Sequence, residues 1–300
     1  GIDGVVIPHV NASVDIDGLA AAVAGHPAHA VAAGLLGSFL ALRGERGRAR
    51  GLLLDAHAQA RGKGAAALEM DTAWSLAVVA ELDGDDAAAA ERCRFVRERW
   101  EQTEDRHYAI PPLRWAATYF AGQGAAAEVR ACARALATIA ESGNAEALAG
   151  LAHALGECAL LEGDAAQAAL HFNQALDRLQ RLEMPFARAQ THLRAGVALA
   201  AAGDREAGIE RLTDAYRTAR KLGARPLAVR AAEAFAGLGE PVERRLGRRA
   251  AGYLERGGLS RRELEVLRLI GLGRTNREIG HELFLSPRTI EMYVGNILAK

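Results

Sequence analysis

Residues 163–179 read GDAAQAALHFNQALDRL, and residues 203–219 read GDREAGIERLTDAYRTA. The two stretches follow one pattern, 40 residues apart. Each opens on Gly-Asp. Each has a small residue five after the Gly (Ala168, Gly208), a large apolar one at nine (Phe172, Leu212) and Ala at twelve (Ala175, Ala215). Spacings of three and four fall on one helical face, and small residues on that face let a second helix come close. The Gly is suited to end one helix at positive φ, and the acidic residue to cap the next.

The pattern extends outward from these copies. Gly followed by Asp or Glu recurs at Gly44-Glu45, Gly84-Asp85, Gly163-Asp164 and Gly203-Asp204, at intervals of 40, 79 and 40 residues. The double interval leaves room for a weaker copy at YFAGQGAAAEV, with Gly122 and Gly124. GERGRARGLLLDAHA keeps the small-large-small order with Ala49, Leu53 and Ala56. Self-similarity at this period is a signature of helical-repeat architecture. The segments resemble tetratricopeptide repeats, with a period of about 40 residues in place of 34. The resemblance covers residues 35–238 and implies a stack with a concave surface for a protein partner or small inducer. Residues 1–34 are expected to be a helical N-terminal segment.

Composition agrees. Of the 300 residues, 66 are Ala, half are hydrophobic and a quarter are charged. Ala is the strongest helix former, so an all-α protein is expected. These proportions exclude a disordered tail, a collagen-like fibre and a disulfide miniprotein. The longest apolar run, AAVAGHPAHAVAAGLLGSFLALRG, is interrupted by His26, Pro27 and His29 and is too rich in Ala and Gly for a membrane span. GIDGVVIPHVN carries no basic signal-peptide start. No membrane partner and a cytoplasmic location are therefore expected. Cys93, Cys132 and Cys158 have no metal-ligand spacing and read as small apolar residues of a reducing compartment.

The net charge of zero is a cancellation. Residues 241–300 hold 12 Arg or Lys against 7 Asp or Glu, while residues 1–240 hold 25 against 30. A basic end on an acidic body points toward nucleic acid at that end. Residues 239–258, GEPVERRLGRRAAGYLERGG, read as a basic connector containing one short helix.

From Leu259 the chain reads LSRRELEVLRLIGLGRTNREIGHELFLSPRTIEMYVGNILAK. Ser260 with Glu263 forms a capping box that opens a helix, with Leu264, Val266, Leu267 and Ile270 as its expected buried side. Thr275 with Glu278 forms a second box, opening a short helix that turns Ile279 and Leu283 inward. After the turn Phe284-Leu285-Ser286, Ser286 caps a third helix with Pro287 at its first position. Its expected buried stripe is Ile290, Val294, Ile297 and Leu298. Arg288, Glu291, Met292, Gly295, Asn296 and Ala299 then fall on the other face. Three short helices with a tight turn before the last make a helix-turn-helix, whose third helix enters the major groove.

LSRRELEVLRLI, TNREIGHELFLSPRTI and NILAK closely resemble the DNA-binding domain of LuxR-type (GerE-like) transcription regulators. The resemblance implies backbone contacts from Thr275, Asn276 and Arg277, and phosphate or groove-edge contacts from Ser286, Arg288 and Thr289. It implies base reading at Glu291, Met292 and Gly295, and further approach to DNA at Asn296 and Lys300. Three positions depart from the family. Glu291 stands where a basic residue is common, and Tyr293 where His is common. Gly295 costs the helix about 1 kcal/mol against Ala and offers no side chain to a base. The family's fourth helix, which pairs two subunits on DNA, would follow Lys300. The expectation is therefore a domain cut before that helix, within a longer chain.

Repeats joined to such an end resemble the C-terminal part of large maltose-activator-type regulators, which carry an ATP-binding module upstream. The phosphate loop G-x-x-x-x-G-K-[ST] does not occur here, and Gly62-Lys63-Gly64 lacks its spacing and hydroxyl. No cofactor is expected in this chain, and ATP only in an upstream module. No H-E-x-x-H, G-x-S-x-G or paired-Cys pattern is present, and His153, His171 and His192 lie on Ala-rich helices, so no enzyme is expected. The expected function is that of a sequence-specific DNA-binding regulator. Its partners are double-stranded DNA, RNA polymerase, an occupant of the repeat groove and a second copy where a fourth helix exists. The competing class is a helical-repeat interaction scaffold with a vestigial tail.

Overall fold

The computed structural model describes residues 29–103, 106–255, 261–283 and 285–298, and no strand occurs among the described residues. Expectations for residues 1–28, Ser260, Phe284, Ala299 and Lys300 lie outside them, as does the side chain of Asn296. The helices are α1 (His29–Arg43), α2 (Arg46–Lys63), α3 (Ala66–Leu82), α4 (Asp86–Arg99), α5 (Ile110–Gly122), α6 (Ala126–Ala140) and α7 (Ala145–Leu161). They continue with α8 (Ala165–Leu179), α9 (Pro185–Ala201), α10 (Arg205–Lys221) and α11 (Arg225–Gly237). Two short helices follow, α12 (Val242–Leu246) and α13 (Arg248–Glu255), and then α14 (Arg261–Gly271), α15 (Asn276–Leu283) and α16 (Pro287–Leu298).

The turn pattern has the expected geometry. Gly44, Gly84, Gly163 and Gly203 have φ of 84°, 75°, 82° and 96°. Asp85, Asp164 and Asp204 each accept the backbone N–H three residues on, at 3.1, 2.9 and 3.1 Å. Glu45 does not cap. Its longer side chain reaches Arg43 and Arg48 instead, at 3.3 and 3.1 Å. In the weak copy Gly124 makes the turn, with φ 68°, while Gly122 ends α5. A second series at Gly64, Gly143 and Gly223, with φ of 67°, 77° and 69°, follows Gly44, Gly124 and Gly203 by about half a period each. The 40-residue period is thus a pair of helices, and the acidic caps form at Asp85, Asp164 and Asp204 of the first series.

The chain divides into two compact units, residues 1–158 and 159–300. In the first, the close approach of α1 and α2 depends on Gly37, where a Cβ would fall 2.6 Å from Leu53 Cγ. The interior there contains polar groups. The Ser75 hydroxyl donates to Ser38 Oγ at 2.7 Å, and Ser38 donates to Asp71, whose carboxyl burial pushes up to about 6. Thr118 contacts His153 Nε2 at 2.8 Å and donates to Glu157 at 3.0 Å, and both partners are buried on α7. Burial lowers the Arg114 guanidinium to about 10, with Glu146 acting in opposition. Cys93 and Cys132 are buried, and desolvation raises the Cys132 thiol to about 12.

In the second unit, Phe172 and Leu176 of α8 pack against Ala195 and Ala198 of α9. A larger core gathers Leu212, Tyr216, Ala231 and Phe235. Val242, Leu246 and Ala250 of the basic connector join this core, so residues 242–250 are folded onto the last repeat helices. Backbone meets backbone where α9 crosses α10: a Cβ at Gly208 would stand 2.9 Å from the Gly196 carbonyl oxygen, and one at Gly196 2.9 Å from that of Gly208.

Candidate nucleic-acid interface

Residues 261–298 form a small helical unit with its own core. Val266, Leu269, Ile279 and Ile290 are buried, ringed by Leu283, Leu285, Tyr293, Val294 and Ile297. α14 and α15 contribute two apolar side chains each and α16 four, enough to fix three short helices only because they share the same few contacts.

Local signals set the ends of the elements. Gly273, at φ 75°, closes α14 with its N–H on the Ile270 carbonyl at 2.8 Å. The Thr275 box forms as expected. The backbone N–H and hydroxyl of Thr275 donate to the Glu278 carboxylate at 2.8 and 2.9 Å, and the Glu278 N–H returns to Thr275 Oγ1 at 3.4 Å. These bonds hold the Glu278 carboxyl below its ordinary value, the backbone donor contributing most. Ser286 Oγ accepts the Thr289 N–H at 3.1 Å and meets the Thr289 hydroxyl at 2.7 Å. Between α15 and α16 the chain doubles back so closely that a Cβ on Gly280 would stand 2.7 Å from the Leu285 carbonyl oxygen. The Leu285 N–H in turn donates to the Gly280 carbonyl at 2.8 Å.

Two expectations for buried faces are corrected. On α14 the inward residues are Glu263, Val266 and Leu269, whereas Leu267 and Ile270 are 39% and 36% exposed and Leu264 is half-buried. Apolar residues at 264, 266, 267, 269 and 270 cover most of the helix circumference, so periodicity selects no face; contact with α15 and α16 does. On α16 Ile290 is buried and Val294 and Ile297 pack on the core, but Leu298 is 81% exposed. It lies eight residues after Ile290, about 80° around the helix from it.

The residues singled out for DNA contact fall into three groups. Thr275, Asn276 and Arg277 stand at the start of α15, where the Thr275 hydroxyl is committed to its box and Arg277 is exposed. Ser286 and Thr289 cap α16, while Arg288 between them is exposed. Glu291, Met292 and Gly295 are exposed on the side of α16 away from Ile290. Asn296 lies within α16.

Two residues outside the expected DNA-contact set also shape this unit, one of them Glu263, which the sequence offers as a capping-box carboxylate. Arg262 donates to the Leu283 carbonyl at the end of α15 and to Glu265 at 2.6 Å. Glu263 is 2% exposed and pairs with Arg225 of α11 at 3.5 Å. The Arg225 guanidinium also lies over the Tyr253 ring at 5.8 Å. Both are charged residues of a kind usual on helix surfaces, so their roles in packing emerge only from the tertiary structure.

Residues 258–300 match the model of the bacterial regulatory proteins of the luxR family. Over 42 residues the chain is 52% identical to the transcriptional regulatory protein LiaR of Bacillus subtilis (strain 168), a stretch covering 14% of this chain and 20% of that protein. The chain thus spans about one fifth of the length of this curated relative. With the capped, glycine-crossed trihelical geometry described above, the C-terminal helices of this chain are a LuxR-family helix-turn-helix domain.

Proposed function

We propose that the chain is a DNA-binding transcriptional regulator that lays α16 in the major groove. One observation carries this reading: Arg288, Glu291, Met292 and Gly295 are all exposed on the side of α16 opposite the Val266–Ile290 core. A helix presented in this way, with capped N-terminal N–H groups beside it, suits a groove flanked by phosphates. Arg277 and Arg288 supply phosphate contacts, and the positive dipole end at the start of α16 adds to the attraction for phosphate. The basic excess of residues 241–300 provides longer-range attraction. The repeat helices serve as the sensing region, taking up a protein partner or small inducer, and α12 and α13 carry its state toward the DNA-binding helices.

Binding of the 300-residue chain to duplex DNA, followed by fluorescence anisotropy across a salt series, tests this. Affinity should fall steeply with salt as counterions are released. Arg288→Ala should weaken binding on every sequence and reduce the salt slope by about one. A chain with no salt-dependent DNA affinity would be an interaction scaffold.

A further inference from the structure

Among the described residues, no hydrogen bond or ion pair engages the Glu291 carboxylate or the Arg288 guanidinium, and both are exposed. Their neighbours differ: the Ser286 and Thr289 hydroxyls are occupied with each other and with the helix end. Met292 is 48% exposed beside Glu291, and nothing lies within 4 Å of the Cβ position of Gly295. The outward side of α16 therefore offers a free carboxylate, an unbranched apolar side chain and, one turn later, bare backbone.

A carboxylate on a helix facing DNA is repelled by every phosphate, so it is accommodated only against a hydrogen-bond donor on a base edge. In the major groove cytosine N4 and adenine N6 are the donors. Adenine places the N7 acceptor beside N6, which repels a carboxylate; cytosine does not. Met292, about 100° around the helix, has no donor and only a weakly accepting thioether, and it matches the one apolar group of that groove, the thymine methyl. Gly295 lets the backbone approach the bases without a side chain between them.

Resting on the reading of α16 as the groove-docking helix, we propose that the chain selects duplexes with a cytosine accepted by Glu291 and an adjacent thymine whose methyl packs on Met292. Binding sites selected from random duplexes by the 300-residue chain should contain this C and neighbouring T. Glu291→Gln, isosteric and at an exposed position, should turn the C into A, because the amide pairs with adenine N6 and N7, with discrimination of roughly tenfold or more. Replacing that thymine by deoxyuridine should weaken the wild-type chain several-fold and leave Met292→Ala unaffected. If the sites selected by Glu291→Gln keep their C, or if salt-dependent binding shows no base preference, this assignment is overturned while groove docking stands. If the wild-type chain has no affinity for DNA at any salt concentration, both readings fall together.

Discussion

At the residue scale, glycines separate structural need from tolerance. Gly51 lies exposed within α2, with nothing within 4 Å of its Cβ position. Gly51→Ala should raise stability by roughly 0.5–1 kcal/mol in denaturant titration, through propensity and unfolded-state entropy. Gly208→Ala gains the same propensity but drives a methyl against the Gly196 backbone, so it should destabilise by about 1–3 kcal/mol. His192 is another such case. Burial, with Arg211 and Arg188 nearby and Asp214 opposing them, lowers its imidazole to about 4, and its Nδ1 is buried without a hydrogen-bond partner. The unfolded chain binds a proton near pH 6.5 that the folded chain refuses until about pH 4, so stability should fall as pH drops through that window. The loss is about 2 kcal/mol between pH 7 and 5. In thermal melts His192→Gln should lack this part of the acid sensitivity.

At the scale of elements, the caps divide by side-chain length. Asp204→Ala should cost about 1 kcal/mol because it removes a bond to the Ala207 N–H, and Glu45→Ala should cost clearly less, since Glu45 bonds only exposed or half-exposed arginines. Urea titrations of the two variants would show the difference. The repeat is deeper than its Gly-Asp turns suggest. Seven residues before Gly44, Gly84, Gly124, Gly163 and Gly203 stand Gly37, Ala77, Ala117, Gly156 and Gly196, all buried. That series was readable in the sequence, since each copy needs a small residue where the first helix of the pair meets the second. The faint middle copy was hard to recognise for a physical reason. Val129, Ala133 and Leu136 are buried at the same three positions as Ala168, Phe172 and Ala175, but bulk has moved from the middle position to its flanks. A core conserves volume across a contact, not residue identity at one site. On α16 the inward turn of Ile290, Val294 and Ile297 was legible for the same reason that Leu298 was not: spacing defines a stripe only where a partner surface extends to meet it.

At the scale of the whole molecule, residues 1–240 carry an acidic excess and residues 241–300 a basic one, which composition alone shows. Among the described residues no helix is long and apolar enough to cross a membrane. Within the second unit, the pairing of buried Glu263 with Arg225 ties α14 to the last long repeat helix. Arg225→Ala withdraws a cation from a buried carboxylate and should destabilise that junction by about 1–3 kcal/mol, read as a lower melting temperature that Glu263→Gln partly restores in the double variant. Turn residues, helix caps and hydrophobic period are local properties of a chain, and through them the order of helices, the 40-residue pairing and the identity of the last three helices were present in the one-dimensional text. The face that α14 buries, the folding of residues 242–250 onto the repeats and the burial of Glu263 depend on surfaces brought together from distant parts of the chain. Several faces of an alanine-rich helix are nearly equivalent until a neighbour chooses among them, so these features exist only once the helices have packed.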